Sequence, residues 1–211
     1  MSKTLSVFVF LYALGHLTAG EIWASEPVKI LVLGDSLSAG YGLAKSEAFP
    51  AVLESALQKA GQNVTVINAG VSGDTTAGGR TRLTWALSDK PEMVILELGA
   101  NDGLRGLEPS ETKANLDAIL SELGKRDIKV LLTGMLAPPN LGKEYGDEFK
   151  NLFGALARKH KTAFYKFFLD GVAGKHHLNQ RDGIHPNRAG VAVIVQRIFP
   201  KVLAILNGTK P

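Results

Sequence analysis

The chain of 211 residues contains no cysteine, and this absence excludes several kinds of site. Disulfide bonds, thiolate zinc centres, iron–sulfur clusters and thiol nucleophiles all require a residue that the sequence lacks. A strong excess of positive charge is lacking too, because 24 Lys and Arg residues face 20 Asp and Glu residues. The basic residues form no run of the kind that binds phosphate backbones, so no nucleic-acid partner is expected.

The rest of the composition is that of an ordinary globular protein, with 45% hydrophobic and 21% charged residues. A chain of about 190 residues buries roughly 70% of its unfolded surface without help from crosslinks. No repeat, low-complexity tract or linker divides the sequence. We therefore expect one domain with one hydrophobic core.

The amino-terminal residues favour a secretory signal peptide. Lys3 precedes an apolar run at Leu5–Leu14, which matches the charged and hydrophobic regions of such signals. The run is shorter than the roughly 20 residues that a membrane-spanning helix needs. The alternative, an uncleaved anchor, requires the helix to extend through His16 and Glu21.

Small residues near the end of this segment suit processing, and Ala24 lies just before Pro27. We accordingly predict a signal peptide at residues 1–24 and a mature domain at residues 25–211. Such a protein is periplasmic or secreted, and its stability depends on its core rather than on crosslinks. The mature form is expected to have no stable membrane span and to be a monomer or a weak dimer.

Five apolar runs of strand length alternate with segments of helical periodicity. The runs are Val28–Leu33, Val64–Ile67, Met93–Leu98, Ile128–Thr133 and Ala163–Phe168. Their apolar residues are continuous rather than alternating, which is typical of strands covered on both faces of a parallel sheet. The pattern predicts an α/β fold with a doubly wound sheet of about five strands. In such folds ligands bind beyond the carboxyl ends of the strands.

Ser36 follows the first apolar run through Gly34 and Asp35, at the expected start of a short helix. Free N–H groups at a helix start favour developing negative charge, so a serine there is well placed as a nucleophile. Asp and Ser are also common helix N-caps, and the cluster alone leaves that structural role open. The nucleophile-elbow pattern Gly-x-Ser-x-Gly is not met, because residue 38 is serine.

Asp182 and His185 lie three residues apart, and Pro186 favours a loop at this position. The spacing allows the carboxylate to reach one imidazole nitrogen and leaves the other free to accept a serine proton. A solvated surface turn is the structural alternative. A metal site is the chemical alternative, since Asp170, His176 and His177 crowd the same region, but no regular ligand spacing emerges.

Gly73 and Asn101 follow the second and third apolar runs and could supply hydrogen-bond donors. Acyl transfer from serine passes through a tetrahedral oxyanion, which such donors stabilise. A glycine exposes its N–H without obstruction, and an asparagine amide is a neutral donor. Either residue alone is more typical of a turn. Their occurrence together with the serine and the Asp–His pair is what indicates a serine esterase.

In order and spacing, these blocks resemble the SGNH (GDSL) hydrolases. The blocks are Gly-Asp-Ser-Leu-Ser at 34–38, Gly73 within Ser-Gly-Asp-Thr, Gly-x-Asn-Asp at 99–102 and Asp-x-x-His at 182–185. Longer stretches at 33–41, 97–106 and 182–187 are similar to the bacterial periplasmic branch of thioesterases, lysophospholipases and arylesterases. The resemblance makes residues 25–211 a hydrolase domain and implies a flavodoxin-like three-layer α/β/α fold.

The resemblance also implies site residues. It makes Ser36 the nucleophile, His185 the base and Asp182 its partner, without cofactor or metal. It implies an oxyanion hole of the Ser36 and Gly73 backbone N–H groups and the Asn101 side chain. In that branch the segment matching Gly103–Leu107 moves when acyl chains bind.

Three further parts of the sequence concern the surroundings of this site. The apolar residues Leu104, Leu107 and Ile184 suggest an acyl-accepting groove. Gly70 lies too early to match the oxyanion glycine and is assigned a structural turn. Segment Pro138–Gly146 has no functional interpretation.

We therefore expect a serine esterase or thioesterase acting on aryl esters and on short-to-medium acyl esters or thioesters. A carbohydrate acetylesterase with the same residues is an alternative, although few aromatic residues, Tyr41 and Tyr145 foremost, are available for a sugar platform. A non-catalytic exported module that binds a small anion at its helix starts is the other.

Overall fold

The computed structural model describes residues 26–208, so the predicted signal peptide at 1–24 lies outside the described residues. Five parallel strands form one sheet in the order β2-β1-β3-β4-β5. Their bounds are β1 Val28–Gly34, β2 Val64–Gly70, β3 Met93–Glu97, β4 Lys129–Thr133 and β5 Ala163–Tyr165. This order is the doubly wound, flavodoxin-like arrangement, in which the chain reverses direction across the sheet between β1 and β3.

Helices cover both faces of the sheet. They are α1 Ser36–Ala39, α2 Phe49–Lys59, α3 Thr76–Thr81, α4 Leu83–Ala86, α5 Ala100–Leu104, α6 Pro109–Lys125, α7 Lys143–His160 and α8 Arg188–Leu206. Helices α2 and α8 pack against each other, as do α6 and α7. Helix α8 is long and apolar enough to cross a membrane, but its buried residues pack in the core. The predicted three-layer α/β fold is confirmed.

The central strands carry the core because helices cover them on both sides. Every side chain of β3 is buried, and Ile30 to Leu33 of β1 are buried as well. The register places Gly34 of β1 opposite Gly70 of β2 and Glu97 of β3. The carboxyl ends of these three strands therefore lie side by side, and the loops that follow them start from one edge.

The last predicted strand, Ala163–Phe168, is only partly correct. The edge strand β5 ends at Tyr165, and the chain then leaves the ladder. Phe168 is instead fully buried against Phe49, with ring centroids 5.1 Å apart in an edge-on arrangement. Its apolar character reflects core packing between a loop and α2, which a continuous apolar run does not distinguish from strand pairing.

Candidate active site

Ser36, His185 and Asp182 form a continuous chain of side-chain contacts. Ser36 Oγ lies 2.9 Å from His185 Nε2, and His185 Nδ1 lies 2.8 Å from Asp182 Oδ2. Ser36 and His185 are 149 residues apart in the sequence and meet because both follow the same edge of the sheet. This is the arrangement that proton transfer from a serine to a histidine requires.

Ser36 is the first residue of α1, and its neighbour Asp35 caps that helix. Asp35 Oδ1 accepts a hydrogen bond of 2.9 Å from the Leu37 N–H, which fixes the first turn. The Ser36 N–H has no acceptor among residues 26–208. It is therefore available to bind negative charge that develops next to the Ser36 hydroxyl.

Both carboxylate oxygens of Asp182 are engaged with its own loop. Oδ1 accepts hydrogen bonds of 3.0 Å from the backbone N–H groups of Ile184 and His185, and Oδ2 contacts the imidazole. These hydrogen bonds, that of the His185 backbone first, lower the pKa of Asp182 to about 2. The carboxylate is thus ionised at neutral pH. It favours the imidazole tautomer with its proton on Nδ1, which leaves Nε2 free to accept.

Gly73 lies on the loop after β2, and Asn101 is the second residue of α5, the short helix that follows β3. The Gly73 N–H has no acceptor within the described part of the chain. Asn101 Nδ2 donates to the Asp74 carbonyl at 2.9 Å and to Asp35 Oδ2 at 3.2 Å. The amide therefore joins the loop of Gly73 to the loop of Ser36. To donate to an oxyanion, it must share or exchange one of these hydrogen bonds, of which the longer is the one to Asp35.

A cavity of about 480 Å³ opens beside Ser36 and His185. Its walls are largely apolar, and the apolar side chains that line it are Leu37, Ala100, Leu104, Met135, Leu136, Ala137, Pro138, Pro139, Phe167, Leu169, Ala173 and Ile184. Such walls suit a hydrocarbon chain rather than a polar ligand. A groove of similar volume at the opposite edge, near the starts of β4 and β5, contains none of these catalytic candidates.

Residues 32–193 contain every side chain of this site and match the sequence model of a family described as GDSL-like lipase/acylhydrolase. The chain belongs to that family. The predicted resemblance to the SGNH (GDSL) hydrolases is thereby confirmed. So is the predicted class, a serine hydrolase that acts on carboxylic esters, and with it a small-molecule ester as substrate.

Three proteins of known name are similar to this chain in sequence. The chain is 42% identical over 178 residues to "Esterase TesA" of Pseudomonas aeruginosa, covering 84% of this chain and 89% of the relative. It is 43% identical to an "Arylesterase" of Vibrio mimicus, covering 77% and 81%. It is 37% identical to "Thioesterase 1/protease 1/lysophospholipase L1" of Escherichia coli K12, covering 84% and 85%. A crystal structure of TesA matches the fold with a TM-score of 0.79 and 42% identity, over 82% of this chain and 97% of that one.

Two carboxyl groups of this family member, Asp35 and Glu97, are fully buried behind the nucleophile. Asp35 belongs to the cluster that the sequence already indicated as a possible helix cap, whereas the role of Glu97 was not predicted. Glu97 Oε2 accepts hydrogen bonds from Ser38 Oγ at 2.6 Å and from the Asp35 backbone N–H at 3.3 Å. Burial raises the pKa of Asp35 to about 6 and that of Glu97 well above its usual range. The only signal in the sequence was an acidic residue at the end of an otherwise apolar strand.

Asp35 is the carboxyl that is ionised at neutral pH. Each of its side-chain oxygens accepts a hydrogen bond: Oδ1 from the Leu37 backbone N–H and Oδ2 from the Asn101 side-chain amide. Glu97 Oε1, in contrast, is buried with no partner among the described residues. Hydrogen-bond donors stabilise a carboxylate and burial opposes it. Glu97 has donors on Oε2 only and leaves Oε1 buried without one, so Glu97 is the neutral member of the pair.

Arg82 is a second residue that the sequence did not reveal. Its guanidinium donates to Asp74 Oδ2 at 2.7 Å, to the Ala69 carbonyl at 2.7 Å and to the Gly34 carbonyl at 2.9 Å. It thereby fixes the ends of β1 and β2 relative to the loop that carries Gly73. A planar fork of donors is needed for three such contacts, which lysine could not make.

The structure differs from the sequence-based predictions at Gly70 and Leu107. Gly70 ends β2 and does not form a turn; a Cβ there would lie 2.4 Å from the backbone nitrogen of Ala39, so glycine permits the close approach of α1. Leu107 is not among the residues that line the cavity, and its carbonyl accepts a hydrogen bond of 2.6 Å from the Tyr145 hydroxyl. Segment 138–146, which had no interpretation, begins with two prolines of the cavity wall.

The residues considered for a metal site have other partners or face solvent. Asp170 pairs with Arg197 at 2.5 Å, and Asp182 pairs with the imidazole of the site. His176 and His177 are exposed. Over residues 26–208, no three His, Asp or Glu side chains are close enough to hold a metal ion.

Proposed function

We propose that the protein hydrolyses aryl esters and short-to-medium acyl esters or thioesters through an acyl-enzyme on Ser36. The observation that carries the proposal is the 2.9 Å contact from Ser36 Oγ to His185 Nε2 at the mouth of an apolar cavity. The names of the relatives, an esterase, an arylesterase and a thioesterase/lysophospholipase, support the same range of substrates.

In the first half-reaction Ser36 Oγ attacks the carbonyl carbon while His185 Nε2 takes the hydroxyl proton. The resulting imidazolium is balanced by Asp182, whose carboxylate remains ionised. Collapse of the tetrahedral intermediate expels the alcohol, phenol or thiol, which receives the proton from His185. A water molecule then attacks the acyl-enzyme with the same imidazole as base, and the acid product leaves with Ser36 restored.

The tetrahedral oxygen needs donors that are free or can be freed. The unpaired N–H groups of Ser36 and Gly73, with the Asn101 amide, are our candidates for this oxyanion hole. Each such donor typically contributes about 3 kcal/mol to transition-state stabilisation. The acyl group would lie against the apolar cavity wall, where each buried methylene contributes about 0.8 kcal/mol.

The proposal is tested with Ser36→Ala and the matched control Ser72→Ala, a serine exposed on a neighbouring loop. We expect Ser36→Ala to lose p-nitrophenyl ester hydrolysis while its thermal unfolding is unchanged, and Ser72→Ala to retain activity. A serine-directed phosphonate should add its mass to the wild type and to Ser72→Ala but not to Ser36→Ala. Wild-type protein that neither reacts nor turns over ester would favour the anion-binding module instead.

A parallel assay separates the ester classes. We expect p-nitrophenyl esters and acyl-CoA to be cleaved faster than acetylated xylan, because Tyr145, one of the two tyrosines considered for a sugar platform, is half-buried and hydrogen-bonded through its hydroxyl. Preference for acetylated xylan would indicate a carbohydrate acetylesterase. Export is tested by cell fractionation and amino-terminal sequencing, which should find the mature chain in the periplasm or medium, starting at Ser25.

A further inference from the structure

The ring of Tyr41 lies against the imidazole of His185. The ring centroids are 4.6 Å apart and the planes are inclined by 37°. Tyr41 is 53% exposed, and its hydroxyl makes no hydrogen bond within the described residues. The contact is therefore between the two rings, in a tilted arrangement.

The backbone of Tyr41 is held by the loops of both proposed catalytic residues. Its N–H donates to the Ser36 carbonyl at 3.2 Å, at the end of α1. Its carbonyl accepts a hydrogen bond of 2.6 Å from Gln180 Nε2. Gln180 in turn donates through its backbone N–H to the His185 carbonyl at 2.8 Å. Tyr41 is thus connected on one side to the nucleophile and on the other to the base.

The glycines on either side of Tyr41 fit this placement. Gly40 has φ +81° and Gly42 has φ +72°, conformations that side-chain-bearing residues rarely adopt. A Cβ at Gly42 would lie 2.3 Å from Gln180 Oε1, and a Cβ at Gly40 would lie 2.5 Å from the Cβ of Ala48. The chain therefore makes a sharp turn through two glycines, and the residue between them is the one that contacts His185.

We propose, on the basis of the proposed serine-esterase function, that Tyr41 is a positioning residue that supports His185 in its protonated form. When Ser36 gives its proton to Nε2, the imidazole becomes a cation beside an aromatic face, which attracts positive charge. The ring also restricts rotation of the imidazole away from Ser36. An aliphatic residue of similar size would restrict rotation but would not stabilise the charge.

The other charged and polar groups near the imidazole are the same in wild type and in both Tyr41 variants. Asp182 contacts Nδ1 at 2.8 Å, and Asp35 interacts electrostatically with His185 from the nucleophile side. Among residues 26–208, the Ser36 hydroxyl is the other side chain that contacts a ring nitrogen of His185. A difference between variants at Tyr41 therefore reports the aromatic ring itself.

The test compares wild type, Tyr41→Phe and Tyr41→Leu, with Ser36→Ala in parallel. Steady-state rates with p-nitrophenyl acetate, whose acyl group is too small to use much of the cavity, are measured from pH 5 to 9. We expect Tyr41→Phe to behave as wild type. For Tyr41→Leu we expect the plateau of kcat to fall about two- to fivefold and the acid limb of kcat/KM to move about 0.4–0.7 pH unit toward lower pH. The direction follows because loss of cation stabilisation favours the neutral, active imidazole.

Three results would overturn the inference. An unmoved acid limb in Tyr41→Leu would leave only a packing role, and a change in KM alone would make Tyr41 a substrate contact. A fall in Tyr41→Phe equal to that in Tyr41→Leu would assign the effect to the hydroxyl. If Ser36→Ala is inactive while Tyr41→Leu matches wild type, only this inference fails. If Ser36→Ala remains active, the proposed function fails as well.

Discussion

Asn101 donates a hydrogen bond of 3.2 Å to Asp35, and this contact joins the loops that follow β1 and β3. The same Asp35 side chain caps α1 and so fixes the backbone that presents Ser36. A buried carboxylate therefore orients both the proposed nucleophile and a proposed oxyanion donor. The contact crosses the position between β1 and β3 where the sheet reverses its order, which is where doubly wound folds bind ligands.

We expect Asp35→Asn to lower kcat roughly tenfold or more, since a hydrogen bond to a charged group contributes about 1.5–3 kcal/mol. The asparagine oxygen can still cap α1, but its amide then faces another amide at Asn101. KM should change little. Asp89→Asn, an exposed substitution before β3, serves as the matched control and should be silent.

A double-mutant cycle identifies how Asp35 acts. Asn101→Ala should lower kcat about 10²–10³-fold. If Asp35 works through Asn101, the double variant should be no slower than Asn101→Ala alone, because the two effects are not independent. Fully multiplicative losses would show that Asp35 acts by another route.

Asp182→Asn should lower kcat by roughly 10³–10⁴-fold while leaving KM within a few-fold. The asparagine oxygen can still accept from the loop N–H groups, but it cannot balance charge on His185 or enforce the Nδ1–H tautomer. Because the pKa of Asp182 is lowered to about 2, this carboxylate stays ionised far below neutral pH. Asp182 should therefore contribute no ionisation to the acid limb of wild-type activity above pH 4, where Asp35, with its pKa raised to about 6, is the carboxyl that can contribute one. An NMR titration that shows the Asp182 carboxyl taking up its proton above pH 4 would contradict the assignment.

Stability should depend on pH through the buried pair behind Ser36. A carboxyl whose pKa is raised by folding binds its proton more tightly in the folded chain. Its contribution to stability is complete below the unfolded value of 4.5 for Glu97, and is lost as pH rises toward the raised value. Urea unfolding of wild type and Glu97→Gln should thus show the variant gaining stability relative to wild type between pH 5 and 8. The exposed control Glu144→Gln should show no such trend.

Much of this architecture could be predicted because it depends on local signals. Continuous apolar runs identified the parallel strands, and the carboxyl ends of parallel strands share one edge, which brought Ser36, Gly73, Asn101 and His185 into consideration together. The role of Asp182 could also be predicted, because this residue lies only three positions from His185 in the sequence.

The roles of the supporting residues could not be predicted from the sequence, because they depend on strand register and packing. Glu97 lies beneath α1 only because Gly34 pairs with it across the sheet and has no Cβ to displace it. In the sequence, Arg82 cannot be distinguished from an ordinary surface charge. Its role becomes visible only in the fold, where the ends of β1 and β2 are adjacent and their carbonyls both accept from its guanidinium. Gln180 gains its role only when the loop of Tyr41 meets the loop of His185.

Acyl-chain preference should depend on the cavity wall, and Leu136→Asp tests it. Leu136 is 43% exposed and lines the cavity, so a carboxylate there would lie on the wall against which we expect a long acyl chain to bind. We expect kcat/KM for p-nitrophenyl octanoate to fall roughly tenfold, since loss of two buried methylenes alone costs about 1.6 kcal/mol, and that for the acetate to change less than twofold. Trp85→Asp places the same charge on an exposed apolar residue outside the cavity wall and should affect neither substrate. If Leu136→Asp lowers kcat/KM equally for both esters, the acyl chain of the substrate binds elsewhere and this cavity does not select acyl length.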